Sequence, residues 1–539
     1  MRLAERLPRR TPGPVPVLAT LVVAQWLATG AFAASVERNG WFFFQGGDQT
    51  WLYSSAWALS DGFLPPTIIS YAWPLLLAPV ALFAGPDYLA ALPAIVVLQV
   101  LLLQPLALLC VYGIASRLGG RLVGYVAAAA WIAAPFAIIP LWDPRYHERY
   151  VDQFLPQALG LTGMADYPSM VAALVAAYLT VRALENGSWA DGAAAGLAVG
   201  FAIGLKPSNA FVVVAPLAAL AMARRWRPAG AFALALAPAL LTLALWKYRG
   251  LGYLPAFLFP EARVAAGAVA FTGPLDPYLS LDWQRLADNE AQLREYFWSV
   301  RLLEWVPLVG LVGVARRSLP TAVLLGTWFV AFLLGKGASE RAGVEVGTFF
   351  RLLMPAYPAF FLLGVGILLV VPVLGGRLAS LPRPHAPPLR AAALATGAAV
   401  FALAPLAAVA AARPLPEPAV LQHVPSNTLV PVDARLVPRV DGGGALVWQE
   451  RSGSARPSYR VLRAPAEEDV VCGTTDPAVP RYCFLEMEVV DVTRDRTLRV
   501  DPGGGRWAYR IGVAASWNDD PQEGDVLFVS APVVVDGTR

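Results

Sequence analysis

The chain has 539 residues, of which 57% are hydrophobic and 15% charged, and its mean hydropathy is +0.53. This is too apolar for a water-soluble protein and too long for a single membrane span, so the composition predicts a polytopic membrane protein. A net charge of +4, with arginines dispersed in short clusters, leaves no footprint for nucleic acid.

In chain order, Arg2, Arg6, Arg9 and Arg10 precede an apolar run from about Val15 to Ala34, long enough for one span. The positive-inside rule then places the N-terminus in the cytoplasm and the next loop outside. A cleaved signal peptide is the alternative, because AFAAS at 31–35 supplies small residues of the processing type. The loop that follows, NGWFFFQGGDQTWLYSSAWALSDG at 39–62, carries Asp48 between a Gly pair and a run rich in Trp and Tyr.

Further apolar runs lie near 71–85, 90–114, 119–140, 168–184, 189–205, 210–223, 228–247, 301–315, 320–334, 351–374 and 391–412, which predicts 11 to 13 spans. The clusters Arg117/Arg121, Arg224/Arg225/Arg227, Arg316/Arg317 and Arg377/Arg383/Arg390 mark cytoplasmic loops. Residues 142–167, 248–300, 335–350 and 413–539 then fall outside. One run conflicts with this threading: if 71–85 crosses, Arg117 and Arg121 are outside. Either 71–85 is re-entrant or interfacial, or that basic loop breaks the rule. The stretch 289–305 reads as an amphipathic helix at the membrane surface.

After about Arg413 the composition changes. PLPEP reads as a linker, and short segments of period-two patterning follow at 445–451, 458–464, 483–492, 497–500, 506–517 and 525–535. These predict an antiparallel β-sandwich over 413–539, outside the membrane and behind a transmembrane domain at 1–412. Trp448 and Tyr509 give it a weak likeness to fibronectin type III or immunoglobulin-like domains. Cys472 and Cys483 are compatible with a local disulfide in an oxidising compartment.

Three sets of residues are candidates for chemistry. Asp48 is the only acid between Glu37 and Asp61, placed to act as a base at the headgroup level, with Trp51 and Tyr53 available to stack on sugar; an ordinary solvated loop acid is the alternative. The second external loop, LWDPRYHERYVDQFLPQALGLTGMADYP, offers Asp143, His147, Glu148 and Asp152, beside Asp166, for an acceptor or a cation, or simply as solvated charge. No two of its acids show a dedicated metal spacing, so metal use stays open, with magnesium or manganese the candidates.

The third set is basic. Only three of the 42 basic residues are lysines, Lys206, Lys247 and Lys336, and all three fall at the outer ends of spans, the side that the positive-inside rule disfavours. Lys206, Arg351 and Arg341 are therefore candidates to hold a phosphate, against snorkelling to headgroups as the alternative.

Taken together, Asp48 in the first external loop, the polar loop 143–166, GLKPSNAF after a Gly/Ala-rich helix and FRLLMPAYPAF near the end of the membrane part resemble the GT-C superfamily of membrane glycosyltransferases. The resemblance is to bacterial relatives of the protein O-mannosyltransferases and of the lipid A aminoarabinose transferase, over roughly 15–372. It implies that Asp48 is the catalytic base and that Lys206 and Arg351 contact the phosphate of a polyprenyl-phosphate sugar. A hydroxyl of an envelope glycan, lipid or protein would be the acceptor, outside the plasma membrane and with inversion. Gln49 stands where the family commonly has a second acid. A polytopic transporter of a lipid-linked or envelope precursor is the competing reading.

Overall fold

The computed structural model describes residues 13–35, 48–65, 70–85, 88–137, 154–251, 281–296, 303–339, 341–344, 347–370 and 388–414 of the membrane part. In the tail it describes 432–438, 444–450, 457–466, 487–500, 503, 505–515, 526–530 and 533–536. Asp143, His147, Glu148, Asp152, Cys472 and Cys483 lie outside the described residues.

The helices begin with α1 (Pro14–Ser35), α2 (Asp48–Ser60), α3 (Ala72–Ala84) and α4 (Tyr88–Leu98). A π-turn at Gln99–Leu103 joins α4 to α5 (Gln104–Ala137). After the short α6 (Leu155–Ala158) come α7 (Asp166–Asn186), α8 (Trp189–Leu205), a 3-10 turn at Pro207–Val213, α9 (Val214–Met222) and α10 (Trp226–Leu251). The remaining helices are α11 (Trp283–Tyr296), α12 (Val306–Arg317), α13 (Leu319–Phe332), α14 (Thr348–Leu353), α15 (Tyr357–Val365) and α16 (Pro388–Ala411). Among the described residues, Pro14–Ser35, Ala91–Ala137, Asp166–Asn186, Trp226–Gly250, Leu319–Gly337 and Thr348–Leu369 are long and apolar enough to cross a membrane.

The bundle has two chemically distinct ends. At one, Arg117 pairs with Glu185 at 3.1 Å, and Arg225 donates to the carbonyl oxygen of Leu184, so both arginines meet the last turn of α7. At the other end of that 21-residue helix stands Asp166. At about 1.5 Å per residue the two ends are roughly 30 Å apart, the thickness of a bilayer core.

Gly120, at φ 84°, folds α5 back on itself, so that Tyr112 and Tyr125 stack at 5.4 Å on either side of the bend. A positive φ of this kind suits glycine because it has no Cβ to clash. The bend keeps Arg117 and Arg121 at the basic end. The re-entrant or interfacial reading of 71–85 is supported by the contacts of α3. Trp73 in its first turn donates Nε1–H to the Gly163 carbonyl at 2.8 Å, three residues from Asp166. Gly85, just past its end, accepts the Tyr53 hydroxyl at 2.7 Å. Tyr88 then reaches Gln49, which also binds Gly163. Both ends of α3 therefore lie at the Asp166 end.

Tight helix contacts set the level of the site. Gly192, Gly196 and Gly200, one per turn of α8, face Pro228, Phe232 and Ala239 of α10, and a methyl on any of them would collide with that helix. Gly204 continues the row against the Tyr71 ring and delivers Lys206 two residues later. The stretch expected to be helical at 289–305 overlaps α11 over 289–296, and 297–302 lie outside the described residues. Asn289 of α11 is buried and donates to the Gly337 and Ala342 carbonyls, which pins the chain after α13.

The tail forms two antiparallel sheets. One runs β10 (Val533–Asp536), β8 (Arg506–Ala515), β5 (Pro457–Pro465), β6 (Glu488–Thr493), with β9 (Val526–Val529) also on β8; the other runs β3 (Val432–Pro438), β4 (Gly444–Glu450), β7 (Thr497–Val500). Trp448 of β4 meets Tyr459 of β5 edge-on at 5.4 Å, and both are buried, so they form the core between the sheets. The chain reaches this sandwich through β2 (Arg413–Pro414), which pairs in parallel with β1 (Phe63–Leu64). The C-terminal domain thus leaves the bundle beside the loop that follows α2.

Candidate functional site

The site is built where α7 begins. Asp166 is buried, with its side chain 3% exposed, and would be costly there as an unpaired carboxylate. Lys206 Nζ sits 2.6 Å from Oδ1 and Arg351 Nε 3.1 Å from Oδ2, so one carboxylate holds two cations that come from 40 and 185 residues further along the chain. The antiparallel packing of α7 and α8 brings Lys206 to the level of Asp166. Arg351 arrives from the first turn of the late span Thr348–Leu369.

A third cation joins them. Lys336, at the end of the span Leu319–Gly337, is buried; its ammonium lies 4.9 Å from the centre of the Phe332 ring and donates to Asn209 Oδ1 at 3.3 Å. Asn209 is fixed in turn by donating to the Ala202 carbonyl at 2.7 Å, one turn before Lys206. Asp166 is therefore held by two basic side chains in direct contact, and a third, Lys336, joins the group through Asn209. Such a group is suited to hold an anion rather than only to pair internally. Lys206 and Arg351 keep about a fifth of their side-chain surface exposed.

Asp48 is the first residue of α2. Its neighbour Gln49 is fully buried, and Oε1 of Gln49 accepts both the Gly163 N–H and the Tyr88 hydroxyl, each at 2.6 Å. The backbone at the candidate base is thus tied to the segment that leads into Asp166. Two of the three candidate sets therefore meet at one end of the bundle.

Other candidate residues fall elsewhere. Tyr53 is a correction: its ring is completely buried against Tyr88, at 5.2 Å between centroids, and it packs the core beneath α2 instead of presenting a face to sugar. Trp51 lies on α2. Arg341 is exposed on the segment after α13, where its carbonyl accepts the Thr348 hydroxyl at 2.6 Å. Lys247 is buried in the last turns of α10. No group of three His, Cys, Asp or Glu able to hold a metal ion occurs among the described residues.

From the sequence, Asp166 is one of several loop acids, and Lys336 is noted at an outer span end without a phosphate role. The available signal for Asp166 was its place at the start of an otherwise apolar run; nothing in the sequence alone showed that the cations converge on it.

An apolar groove of about 320 Å³ is lined by Tyr71, Leu75, Phe201, Pro238, Phe401 and Pro405 from α3, α8, α10 and α16 and the residue before α3. Its Tyr71 wall rests on Gly204.

Residues 153–247, which include both Asp166 and Lys206, match the family described as dolichyl-phosphate-mannose-protein mannosyltransferase. The GT-C likeness read from the motifs thus recurs in this independent comparison. Among curated proteins none matches the chain. Two solved structures of the Archaeoglobus fulgidus oligosaccharyltransferase, one in the apo form and one with zinc and sulfate, resemble the chain at 14% identity and a TM-score of 0.39. They cover 74% and 73% of this chain, which spans only 56% and 53% of theirs.

Proposed function

We propose that this membrane protein is an inverting glycosyltransferase that moves a sugar from a polyprenyl phosphate to a hydroxyl of an envelope glycan, lipid or protein outside the membrane. The observation that carries the reading is the cation-rich group around Asp166, with Lys206, Arg351 and Lys336, at the end of the bundle where α2 places Asp48. In this reaction Asp48 takes the proton of the acceptor hydroxyl, the oxygen attacks the anomeric carbon, and the carbon–oxygen bond to the lipid phosphate breaks. The departing phosphate goes from one negative charge to two, and the fixed cations stabilise that gain.

Two further observations support a lipid-linked donor. The match over 153–247 is to a family whose description names such a donor. One wall of the apolar groove, Tyr71, packs on Gly204, two residues before Lys206, and an apolar groove at that level suits an isoprenoid chain. The transporter alternative expects internal repeats and has no use for an acid beside a phosphate site.

The test is sugar transfer in membranes given extracted polyprenyl-phosphate sugars and an envelope acceptor fraction. Wild type is expected to transfer, and Asp48→Asn, folded and present at equal level, to lose at least about a hundredfold, the scale of one general base. Equal rates in the two would remove Asp48 as the base.

A further inference from the structure

Segment 159–165, which leads into Asp166, is gripped on several sides by buried amides. Gln104, the first residue of α5, donates Nε2–H to the Leu159 carbonyl at 2.7 Å, and Gln99, the first of the π-turn, donates to that of Thr162 at 2.5 Å. Trp73 holds the Gly163 carbonyl, and Gln49 takes the Gly163 N–H. Gln49 differs from the other holders because it is covalently next to Asp48. A buried amide that served packing alone would be better replaced by an apolar side chain of the same shape. Here Nε2 has no hydrogen-bond partner among the described residues, and the side chain acts through Oε1.

We propose that Gln49 is a positioning residue: it ties segment 159–165 to the first turn of α2 and thereby fixes the spacing between Asp48 and the Asp166 cation group. The inference rests on the transferase reading for its consequence but not for the tether itself. Both acceptor directions of Oε1 are taken, by Gly163 and Tyr88, so position 49 in this state offers no oxygen to a cation. A tyrosine ring shared with Tyr53 closes the clasp from α4, which keeps water from competing for Oε1.

The experiment uses the full-length protein in lipid nanodiscs and reads amide hydrogen exchange across 157–165 together with transfer kinetics. Gln49→Met removes the acceptor at nearly constant volume; Gln49→Glu keeps it; Gln49→Asn, one methylene shorter, tests the same reach should the methionine variant not fold. Expected for Gln49→Met or Gln49→Asn is exchange at Gly163 and its neighbours about tenfold faster, the loss of one buried hydrogen bond. kcat is expected to fall at least about tenfold with the donor KM little changed, as for a misplaced catalytic group, and Gln49→Glu to restore protection. Unchanged exchange, or faster exchange with wild-type kcat, overturns the proposal. If the variants lose protection while wild type transfers no sugar, the tether stands and the transferase reading falls.

Discussion

Asp166 carries a double load: it neutralises one of the cations that flank it and keeps both Lys206 and Arg351 in place. Its removal should therefore separate stability from anion affinity. In Asp166→Asn the two cations lose their shared partner while the site stays partly enclosed, so about 3 kcal/mol of stability should be lost, the low end for a broken buried pair because both cations are partly exposed. The same change raises the positive charge of the cluster. Inorganic phosphate should then raise the thermal midpoint of the variant in detergent more than that of wild type. If phosphate shifts neither, the cluster is an internal salt bridge and not an anion site. At this scale the sequence was informative about Lys206 and Arg351, because a cation on the disfavoured side of a membrane is anomalous by itself. It was silent on Asp166 as their meeting point, because a contact between residues 185 positions apart leaves no local pattern.

At the scale of elements, apolar runs located most helices, and α8 begins and ends where the run 189–205 does. Hydropathy reports how far a segment is removed from water, not which way it runs. The sequence therefore could not say that α3 stays at one end, nor that 48–60, read as loop, is a helix. The glycines of α8 were legible as a Gly/Ala-rich helix, and their meaning is in the packing. A methyl at Gly196 would meet the Phe232 carbonyl oxygen and the Ala235 side chain, and a backbone atom cannot rotate away. Gly196→Ala should cost about 1–3 kcal/mol by overpacking and displace Lys206 at the end of the same helix. Gly230→Ala, with open space around it, should be neutral or stabilising by about 0.5–1 kcal/mol through helix propensity. Thermal unfolding of the two variants side by side checks the contrast. Equal behaviour would mean that α8 and α10 are not in backbone contact.

At the scale of the molecule, the strands of the tail were largely visible because two-residue alternation survives in a sandwich with one wet face. β3 was not foreseen, although Val432, Ala434 and Leu436 alternate with Asp433 and Arg435 there; its apolar side is short and ends at Pro438. Cys472, Cys483 and the acids of 143–152 stay as expectations from sequence. Orientation joins the two halves. We propose from the charge rule that the basic end, with Arg117 and Arg225 on the last turn of α7, is cytoplasmic, which would turn the Asp166 end and the exit of the sandwich at Arg413 outward. Arg413 and Arg227 are both exposed and belong to opposite ends. In a background with Cys472 and Cys483 changed to serine and the buried Cys110 kept, Arg413→Cys in intact cells should react with a membrane-impermeant maleimide. Arg227→Cys should react only after the membrane is opened. The reverse pattern would put the cation cluster on the cytoplasmic face, where a sugar carried to the outer leaflet on a polyprenyl phosphate cannot reach it, and the proposed reaction would have to be abandoned even if every contact around Asp166 held.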